Sequence, residues 1–168
     1  MIKYIPKGDI FESNAEAYVN PVNLFGVMGD GLAADFRIEF PENFKTYKSI
    51  SDKGETAIGK LITHKVTKQE NKGYDGVLII NFPTKSSWKW ASKLEYIETG
   101  LQTLTTLIKE QNIKSIAIPG LGCGLGRLNW DDVKSLMEKY LDNEELQDVE
   151  IEIYEPKVKS WGRPKIKK

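Results

Sequence analysis

Four glycines at alternate positions follow a short apolar segment in the second half of the chain. The apolar segment is Ile116-Ala-Ile-Pro119, and the glycines are Gly120, Gly122, Gly124 and Gly126. Glycine leaves backbone N–H groups uncovered and tolerates positive φ, and a helix opened by Asn129 would add the positive end of its dipole. This pattern predicts a loop that binds a diphosphate. The alternative is a tight strand-to-helix turn, since the P-loop and dinucleotide signatures are both absent.

A second glycine-bearing loop follows an earlier strand-like segment. Ala17-Tyr-Val-Asn20 continues into Pro-Val-Asn23, and Met28-Gly-Asp-Gly-Leu-Ala33 then leads into a helical segment. Two such loops at neighbouring strand ends can clamp two phosphates. Asp9, in Gly8-Asp-Ile-Phe11, can accept a hydrogen bond from an amine such as the exocyclic amino group of adenine. The alternative for Asp9 is a turn or cap residue.

Lys85 ends the apolar segment Ile80-Asn-Phe-Pro-Thr-Lys85. A lysine at the carboxyl end of a strand, beside a phosphate site, can bind an anion. If the amine is desolvated, its pKa falls, and it can then act as a nucleophile or a base. A solvated surface charge is the alternative.

Cys123 lies inside the glycine-rich loop, where a helix N-terminus could acidify its thiol. His64, the single histidine, lies in a distant strand-like segment, so we interpret Cys123 as a small packed side chain. Trp88, Lys89 and Trp90 form an aromatic and basic cluster, which is typical of contacts with single-stranded nucleic acid. The alternative is that one tryptophan anchors the following helix.

The composition predicts one α/β domain without a metal or cofactor. The chain has 168 residues, 24 basic and 24 acidic side chains, one cysteine and one histidine. These counts provide neither a zinc-ligand spacing nor a net field that would attract nucleic acid. The N-terminus lacks a signal-peptide pattern and no apolar run reaches membrane-spanning length, so we expect a cytoplasmic monomer without a membrane partner. The basic residues 157–168 are expected to form a tail or linker.

Strand-like and helical segments alternate along the chain. Strands are predicted at Lys3–Ile5, Ala17–Asn20, Lys60–Val66, Gly76–Phe82, Ser115–Pro119 and Val149–Tyr154, and helices at Gly31–Phe40, Glu42–Ser51, Ser92–Glu110 and Asp131–Leu141. In the third helix, Leu94, Ile97, Leu101, Leu104 and Ile108 define an apolar face, and Ser92 with Glu95 matches a capping box. This order predicts a mixed, mostly parallel sheet covered on both faces, with ligands at the carboxyl ends of its strands.

The glycine-rich loop belongs to the longer segment Pro119-Gly-Leu-Gly-Cys-Gly-Leu-Gly-Arg-Leu-Asn-Trp130. Together with the motifs quoted above, this segment resembles the macrodomain family of ADP-ribose-binding modules, and the resemblance covers residues 1–156. Asn81-Phe-Pro-Thr-Lys85, with Trp88 and the Ser92 helix start, is similar to the macrodomain of DarG-type antitoxins. The resemblance implies a three-layer α/β/α sandwich with a sheet of about six strands. It also implies a DNA ADP-ribosyl glycohydrolase that removes ADP-ribose from thymidine in single-stranded DNA and counteracts a DarT-type toxin, an ADP-ribosyltransferase.

The resemblance also assigns roles to individual residues. Lys85 aligns with a catalytic lysine. Trp88, Lys89 and Trp90 become candidates for DNA contact. The expected ADP-ribose ligands are Asp9, Ile10, Asn20, Asn23, Met28, Gly29, Gly31, Leu32, Ala33, Pro119, Gly120, Gly122, Cys123, Gly124, Leu125, Gly126 and Tyr154.

Two departures from the family patterns leave alternatives open. A related protein glycohydrolase carries a catalytic aspartate where this chain has Gly126. A lysine–aspartate pair is therefore absent at that place. Asp30 could supply acid–base help instead. Other macrodomains carry an Asn-Ala-Ala-Asn pattern where this chain has Asn20-Pro-Val-Asn23. The alternatives are a non-catalytic ADP-ribose-binding module, a hydrolase of protein-linked ADP-ribose or ADP-ribose 1″-phosphate, and neutralisation of a toxin by protein contact alone.

Overall fold

The computed structural model describes residues 1–157, so residues 158–168 of the predicted basic tail lie outside the described residues. The elements are β1 (Ile2–Ile5), β2 (Ala17–Asn23), α1 (Gly31–Glu39), α2 (Pro41–Asp52), β3 (Ile62–Lys65), β4 (Leu78–Lys85), α3 (Leu94–Glu110), β5 (Ser115–Pro119), α4 (Trp130–Leu141) and β6 (Glu150–Tyr154), with short 3-10 helices at Ile10–Glu12, Lys72–Tyr74 and Glu144–Leu146.

The six strands form one sheet in the order β1-β6-β5-β2-β4-β3. All neighbouring pairs are parallel except β3 with β4, which is antiparallel. The exception follows from the connection: only one short 3-10 helix lies between β3 and β4, whereas a parallel pair needs a longer crossover. The predicted mixed, mostly parallel sheet is confirmed.

Helices cover both faces of the sheet. The larger core cluster joins α3 and α4 to one face, and two smaller clusters join α1 and α2 to the other. On α3 the predicted apolar face is buried at Ile97, Leu101, Leu104 and Ile108, but Leu94 in the first turn is 37% exposed. The arrangement confirms the predicted three-layer α/β/α sandwich. No helix among the described residues has the length and apolar character needed to cross a membrane.

One of the two predicted helix caps is confirmed and the other is wrong. Asn129 caps α4 as expected, because its side-chain oxygen accepts a hydrogen bond of 2.9 Å from the Asp131 amide. The capping box of Ser92 and Glu95 is wrong: the cap residue of α3 is Lys93, without a side-chain cap bond, and the Ser92 hydroxyl donates to the Thr84 carbonyl instead. Ser92 thus connects β4 to the segment before α3.

Candidate functional site

A cavity of about 950 Å³ opens at the carboxyl ends of β2, β4, β5 and β6. These strands are parallel to one another, so the loops that follow them meet at one edge of the sheet. Both glycine-bearing loops contribute to the wall of the cavity, together with the 3-10 helix at Ile10–Glu12, one face of α1 and the segment after β6. The cavity therefore lies at the strand ends, where the sequence pattern predicts a ligand site.

The glycine-rich loop after β5 is wound on itself by backbone hydrogen bonds. The amides of Cys123, Arg127 and Leu128 donate to the carbonyls of Gly120, Gly124 and Gly122 at 3.2, 3.0 and 2.8 Å. Gly122 has φ of 73°, and a Cβ on Gly126 would lie 2.5 Å from the Gly122 carbonyl oxygen. A Cβ on Gly124 would meet nothing within 4 Å. Gly126 is thus required by the winding of the loop, whereas Gly124 faces open space.

Ser92 holds the glycine-rich loop against the end of β4. Its amide donates to the Gly126 carbonyl at 2.9 Å, and its hydroxyl donates to the Thr84 carbonyl, one residue before Lys85. The side chain is buried. This supporting role was missed in the sequence, where Ser92 matched a helix cap, because the partners are distant in the chain.

Asn23 organises the loop after β2. Its side-chain oxygen accepts hydrogen bonds from the amides of Phe25 and Val27 at 2.9 and 3.3 Å, and its side-chain nitrogen donates to the Val27 carbonyl at 2.8 Å. Further on, Gly31 has φ of 63°, and a Cβ there would lie 3.3 Å from the Leu125 side chain of the glycine-rich loop. The two loops are therefore in close contact across the cavity.

Lys85 lies on the cavity wall, where β4 ends. It pairs with Asn23 in the sheet register, just after a β-bulge at Val22/Asn23, and its Nζ donates to the Trp88 carbonyl at 3.4 Å. Burial, and then the nearby positive charge of Arg127, lower the pKa of the Lys85 ammonium below its ordinary value, while the Asp30 carboxylate opposes this shift. Lys85 is therefore a half-buried amine inside a concave site, not a solvated surface charge.

Asp9 caps a short helix and also lies on the cavity wall. Its carboxylate accepts a hydrogen bond of 2.9 Å from the Phe11 amide and so caps the 3-10 helix at Ile10–Glu12. The same residue lines the cavity, beside Ile10 and close to Tyr154 of β6. A cavity wall with an aromatic ring and one exposed carboxylate is suited to a heterocyclic base that carries an amino group.

Most of the predicted site residues meet in this cavity. Those on its wall are Asp9, Ile10, Asn23, Gly29, Gly31, Leu32, Ala33, Lys85, Trp88, Pro119, Gly120, Gly122, Gly124, Leu125, Gly126 and Tyr154. The structure does not bring Asn20, Met28, Cys123, Lys89 or Trp90 to the wall. Lys89 and Trp90 are exposed outside it, and the Lys89 ammonium lies 5.5 Å from the centre of the Trp88 ring.

Three predicted ligand residues are buried beneath the cavity instead. Asn20 and Met28 face the layer of α1 and α2, where the Asn20 side-chain nitrogen donates to Asn81 Oδ1 at 3.1 Å. Cys123 packs into the core below the glycine-rich loop, and burial raises the pKa of its thiol to about 12. The side chains of these three residues are thus buried and do not line the cavity. A nucleophilic Cys123 thiolate is disfavoured, in agreement with the interpretation of Cys123 as a small packed side chain.

One part of the wall that the sequence patterns did not predict lies on α1. Asp35, Ile38 and Glu39 on α1 line the cavity together with Leu32. Their spacing of three and four residues places them on one helix face, which is the signal that could have identified them. Among residues 1–157, no group of His, Cys, Asp and Glu side chains is arranged to hold a metal ion.

Comparisons with known proteins identify relatives over almost the whole chain. The Macro domain family model matches residues 19–137. A protein named DNA ADP-ribosyl glycohydrolase from Thermus aquaticus is 38% identical over 93% of this chain and 41% of its own. The chain thus spans about two fifths of the length of the curated relatives it matches first.

Two solved structures extend the comparison to the fold. The macrodomain of Mycobacterium tuberculosis DarG aligns with a TM-score of 0.85 at 41% identity, covering 93% of this chain and 98% of that one. Thermosipho africanus DarTG in complex with ADP-ribose aligns with a TM-score of 0.82 at 33% identity, covering 92% of this chain and 41% of that one. The family model, the sequence identity and the common fold together show that this chain belongs to the macrodomain family and is similar within it to the macrodomains of DarG.

Proposed function

We propose that this protein is a DNA ADP-ribosyl glycohydrolase that removes ADP-ribose from thymidine in single-stranded DNA. The observation that carries the proposal is Lys85, a half-buried lysine with a lowered pKa on the wall of a cavity between two glycine-bearing loops. The name of the Thermus aquaticus relative and the ADP-ribose complex of the Thermosipho africanus relative support the reaction and the ligand. As an antitoxin, the protein would reverse the modification made by a DarT-type toxin.

The shape of the cavity suits an extended ADP-ribose molecule. In this proposal Asp9, Ile10 and Tyr154 bind the adenine, Gly29 to Ala33 bind one phosphate, and the loop around Gly124 binds the diphosphate through its backbone amides. Asn23 and Lys85 lie side by side in the sheet register and would flank the distal ribose. Binding of the remote adenosine would then orient the C1″ atom at Lys85.

Cleavage of the bond between C1″ and the thymine nitrogen needs stabilisation of the departing base. A protonated Lys85 can donate its proton to that nitrogen, and partial burial strengthens this acid by destabilising the charged amine. The alternative that the sequence left open is a neutral Lys85 that attacks C1″ and forms an imine after ring opening. Trapping by borohydride distinguishes the two, because it requires the imine.

The DNA strand would follow the edge formed by Trp88, Lys89 and Trp90. Trp88 and Trp90 are 55% and 65% exposed, and Trp88 also reaches the cavity wall beside Lys85. Exposed aromatic rings flanked by a lysine are suited to stacked bases and a phosphate backbone, with about 1–3 kcal/mol per stacked base. The edge would thus hold the nucleotides next to the modified thymidine.

The test measures release of ADP-ribose from a thymidine-ADP-ribosylated single-stranded oligonucleotide and, in parallel, from a glutamate-linked protein. We expect Lys85→Ala to lower the rate on the oligonucleotide by about 100-fold or more, in line with loss of an acid–base group. Lys65→Ala is the matched control, because Lys65 is exposed and pairs with Leu78 at the opposite end of β4. Trp90→Ala should raise KM for the oligonucleotide about 10-fold and leave ADP-ribose affinity unchanged.

Each outcome has a distinct meaning. Cleavage of the DNA adduct alone, lost in Lys85→Ala, supports the proposal. Cleavage of the protein adduct alone would assign a protein-linked substrate, and ADP-ribose binding without any cleavage would leave a binding module. Survival of cells that express the toxin with Lys85→Ala would point to neutralisation by protein contact. Because the proposed substrate is DNA, we propose a cytoplasmic location as well.

A further inference from the structure

Arg127 of the glycine-rich loop has a backbone conformation that favours glycine. Its φ is 64°, and within residues 1–157 the one other positive φ outside glycine belongs to Asn112, a residue type that adopts this region more readily. The winding of the loop imposes the conformation, because the Arg127 amide donates to the Gly124 carbonyl and the Leu128 amide to the Gly122 carbonyl. Glycine would adopt this φ without strain, so the strained arginine indicates a use for its side chain.

The Arg127 guanidinium has no hydrogen-bonding or ionic partner in the part of the chain that the structure describes. The residue is exposed, and its side chain makes no hydrogen bond, ion pair or ring contact within residues 1–157. Arg37, by contrast, lies 5.8 Å from the centre of the Phe44 ring. A guanidinium carries five N–H donors in a planar fork that matches the oxygens of a phosphate group. The Arg127 side chain is therefore available to an anion outside the chain.

Arg127 lies just outside the cavity, at the end that holds Lys85. Gly126 lines the cavity, whereas Arg127 does not. The Gly126 carbonyl accepts a hydrogen bond from the Ser92 amide, and the Ser92 hydroxyl donates to the Thr84 carbonyl beside Lys85. These two bonds tie the glycine-rich loop to the end of β4, and the positive charge of Arg127 accordingly acts on the Lys85 ammonium. Arg127 thus lies on the rim of the cavity next to the proposed reaction centre.

This rim combines exposed aromatic rings with cations. Trp88, Lys89 and Trp90 are exposed on the β4 side of the rim, and Arg127 is exposed on the side of the glycine-rich loop. Sites for single-stranded nucleic acid pair stacking rings with cations that follow the phosphate backbone. The diphosphate of ADP-ribose is assigned to loop amides inside the cavity, so it does not account for a cation outside it. A strand whose modified thymidine lies at Lys85 leaves the cavity over this rim and carries its own phosphates past Arg127.

We propose that Arg127 binds a backbone phosphate of the DNA strand next to the ADP-ribosylated thymidine, and so makes the protein prefer an adduct within a strand over the isolated nucleoside. The inference rests on the proposed glycohydrolase function. The guanidinium donates two N–H bonds to the non-bridging oxygens of the phosphate. Trp88 and Trp90 stack the neighbouring bases on the opposite side of the rim, and Lys85 remains the residue that acts at C1″.

The test compares a thymidine-ADP-ribosylated oligonucleotide with the ADP-ribosylated nucleoside, which has no phosphodiester. Arg127→Asn removes the charge, and asparagine accepts the positive φ. For the oligonucleotide we expect KM to rise about 5–10-fold, in line with one charge-assisted contact at an exposed site, and kcat at neutral pH to stay within about threefold. For the nucleoside, kcat/KM should also stay within about threefold. A change that acts only through Lys85 would alter both substrates alike.

Two further variants accompany this comparison. Arg127→Lys keeps a cation at the rim and should recover part of the loss on the oligonucleotide. Arg37→Asn is the matched control, because it makes the same substitution on an exposed arginine that does not line the cavity. Its kinetic constants on both substrates should equal those of the wild-type protein.

The salt dependence of binding provides a second readout. In the Lys85→Ala background, which preserves the adduct, adding Arg127→Asn should lower the slope of log affinity against log salt by about 0.7, as expected for one phosphate of a single strand. Equal losses on both substrates, a wild-type protein without preference for the oligonucleotide, or an unchanged salt slope would overturn the inference. A wild-type protein that cleaves neither adduct would instead refute the proposed function, and the salt slope of oligonucleotide binding would still test Arg127.

Discussion

Gly126 is the residue of the glycine-rich loop that tolerates a side chain least. In Gly126→Ala the new Cβ would lie 2.5 Å from the Gly122 carbonyl oxygen, well short of the 3.4 Å at which ordinary van der Waals contact begins. Both atoms are held by backbone, so a change of rotamer cannot relieve the clash. The loop must open, and with it the hydrogen bonds from Leu128 to Gly122 and from Ser92 to Gly126, at 2.8 and 2.9 Å.

The cost follows from these contacts. Two weakened backbone hydrogen bonds account for about 1 kcal/mol each, and overpacking adds about 1–3 kcal/mol. We therefore expect Gly126→Ala to lower the free energy of unfolding by about 3–5 kcal/mol. For a chain of this size, that loss corresponds to a fall of about 6–20 °C in Tm. ADP-ribose affinity should fall as well, because the displaced amides belong to the proposed diphosphate site.

Urea unfolding and calorimetric titration with ADP-ribose measure the two effects. Gly124→Ala is the matched control, because it makes the same substitution two residues away, at a position where a Cβ meets nothing within 4 Å. Its free energy of unfolding should stay within about 0.5 kcal/mol of the wild-type value. The reasoning is refuted if Gly126→Ala is as stable as the wild-type protein, or if Gly124→Ala loses as much stability as Gly126→Ala.

Two further predictions concern the buried polar network and the charge around the lysine. Asn81→Ala removes a side chain that forms hydrogen bonds with two other buried asparagines and with one backbone carbonyl. The free energy of unfolding, measured by urea titration, should therefore fall by about 3–5 kcal/mol. A loss below about 1 kcal/mol contradicts this. Arg127→Asn removes a positive charge that lowers the Lys85 pKa, and asparagine accepts the φ of 64° found there. If Lys85 donates a proton, the alkaline fall of the hydrolysis rate should move to higher pH in Arg127→Asn, and a move to lower pH would contradict this.

The alternation of apolar segments made most of the fold predictable. The six strands and four helices all lie within a few residues of the predicted ranges. The period of three to four residues is clear in α3 and α4 and the alternation is clear in β6, whereas the central strands are continuous apolar segments between turn residues. The errors occur at element ends. Ser92 was assigned to a helix cap from a local pattern, whereas its hydroxyl is used by Thr84, and Leu94 continues the apolar period of α3 but is partly exposed in the first turn.

The site was predictable as a set of loops and less so as individual contacts. Glycine spacing and strand order are local properties, and they were sufficient to bring both glycine-bearing loops and Lys85 to one cavity. Spacing does not distinguish a residue that faces the ligand from one that faces the core. Asn20 and Cys123 therefore matched the pattern, but their side chains are buried.

The sequence by itself determined the order of elements, the two glycine-bearing loops and the lysine at a strand end, because these depend on residue type and on neighbours along the chain. Only the tertiary structure decided the environment of Lys85. Its partial burial, the opposing charges of Arg127 and Asp30, and its position beside Asn23 come from segments far apart in the chain. A pKa depends on desolvation and on distances between charges, and both exist only once the sheet and its loops have assembled.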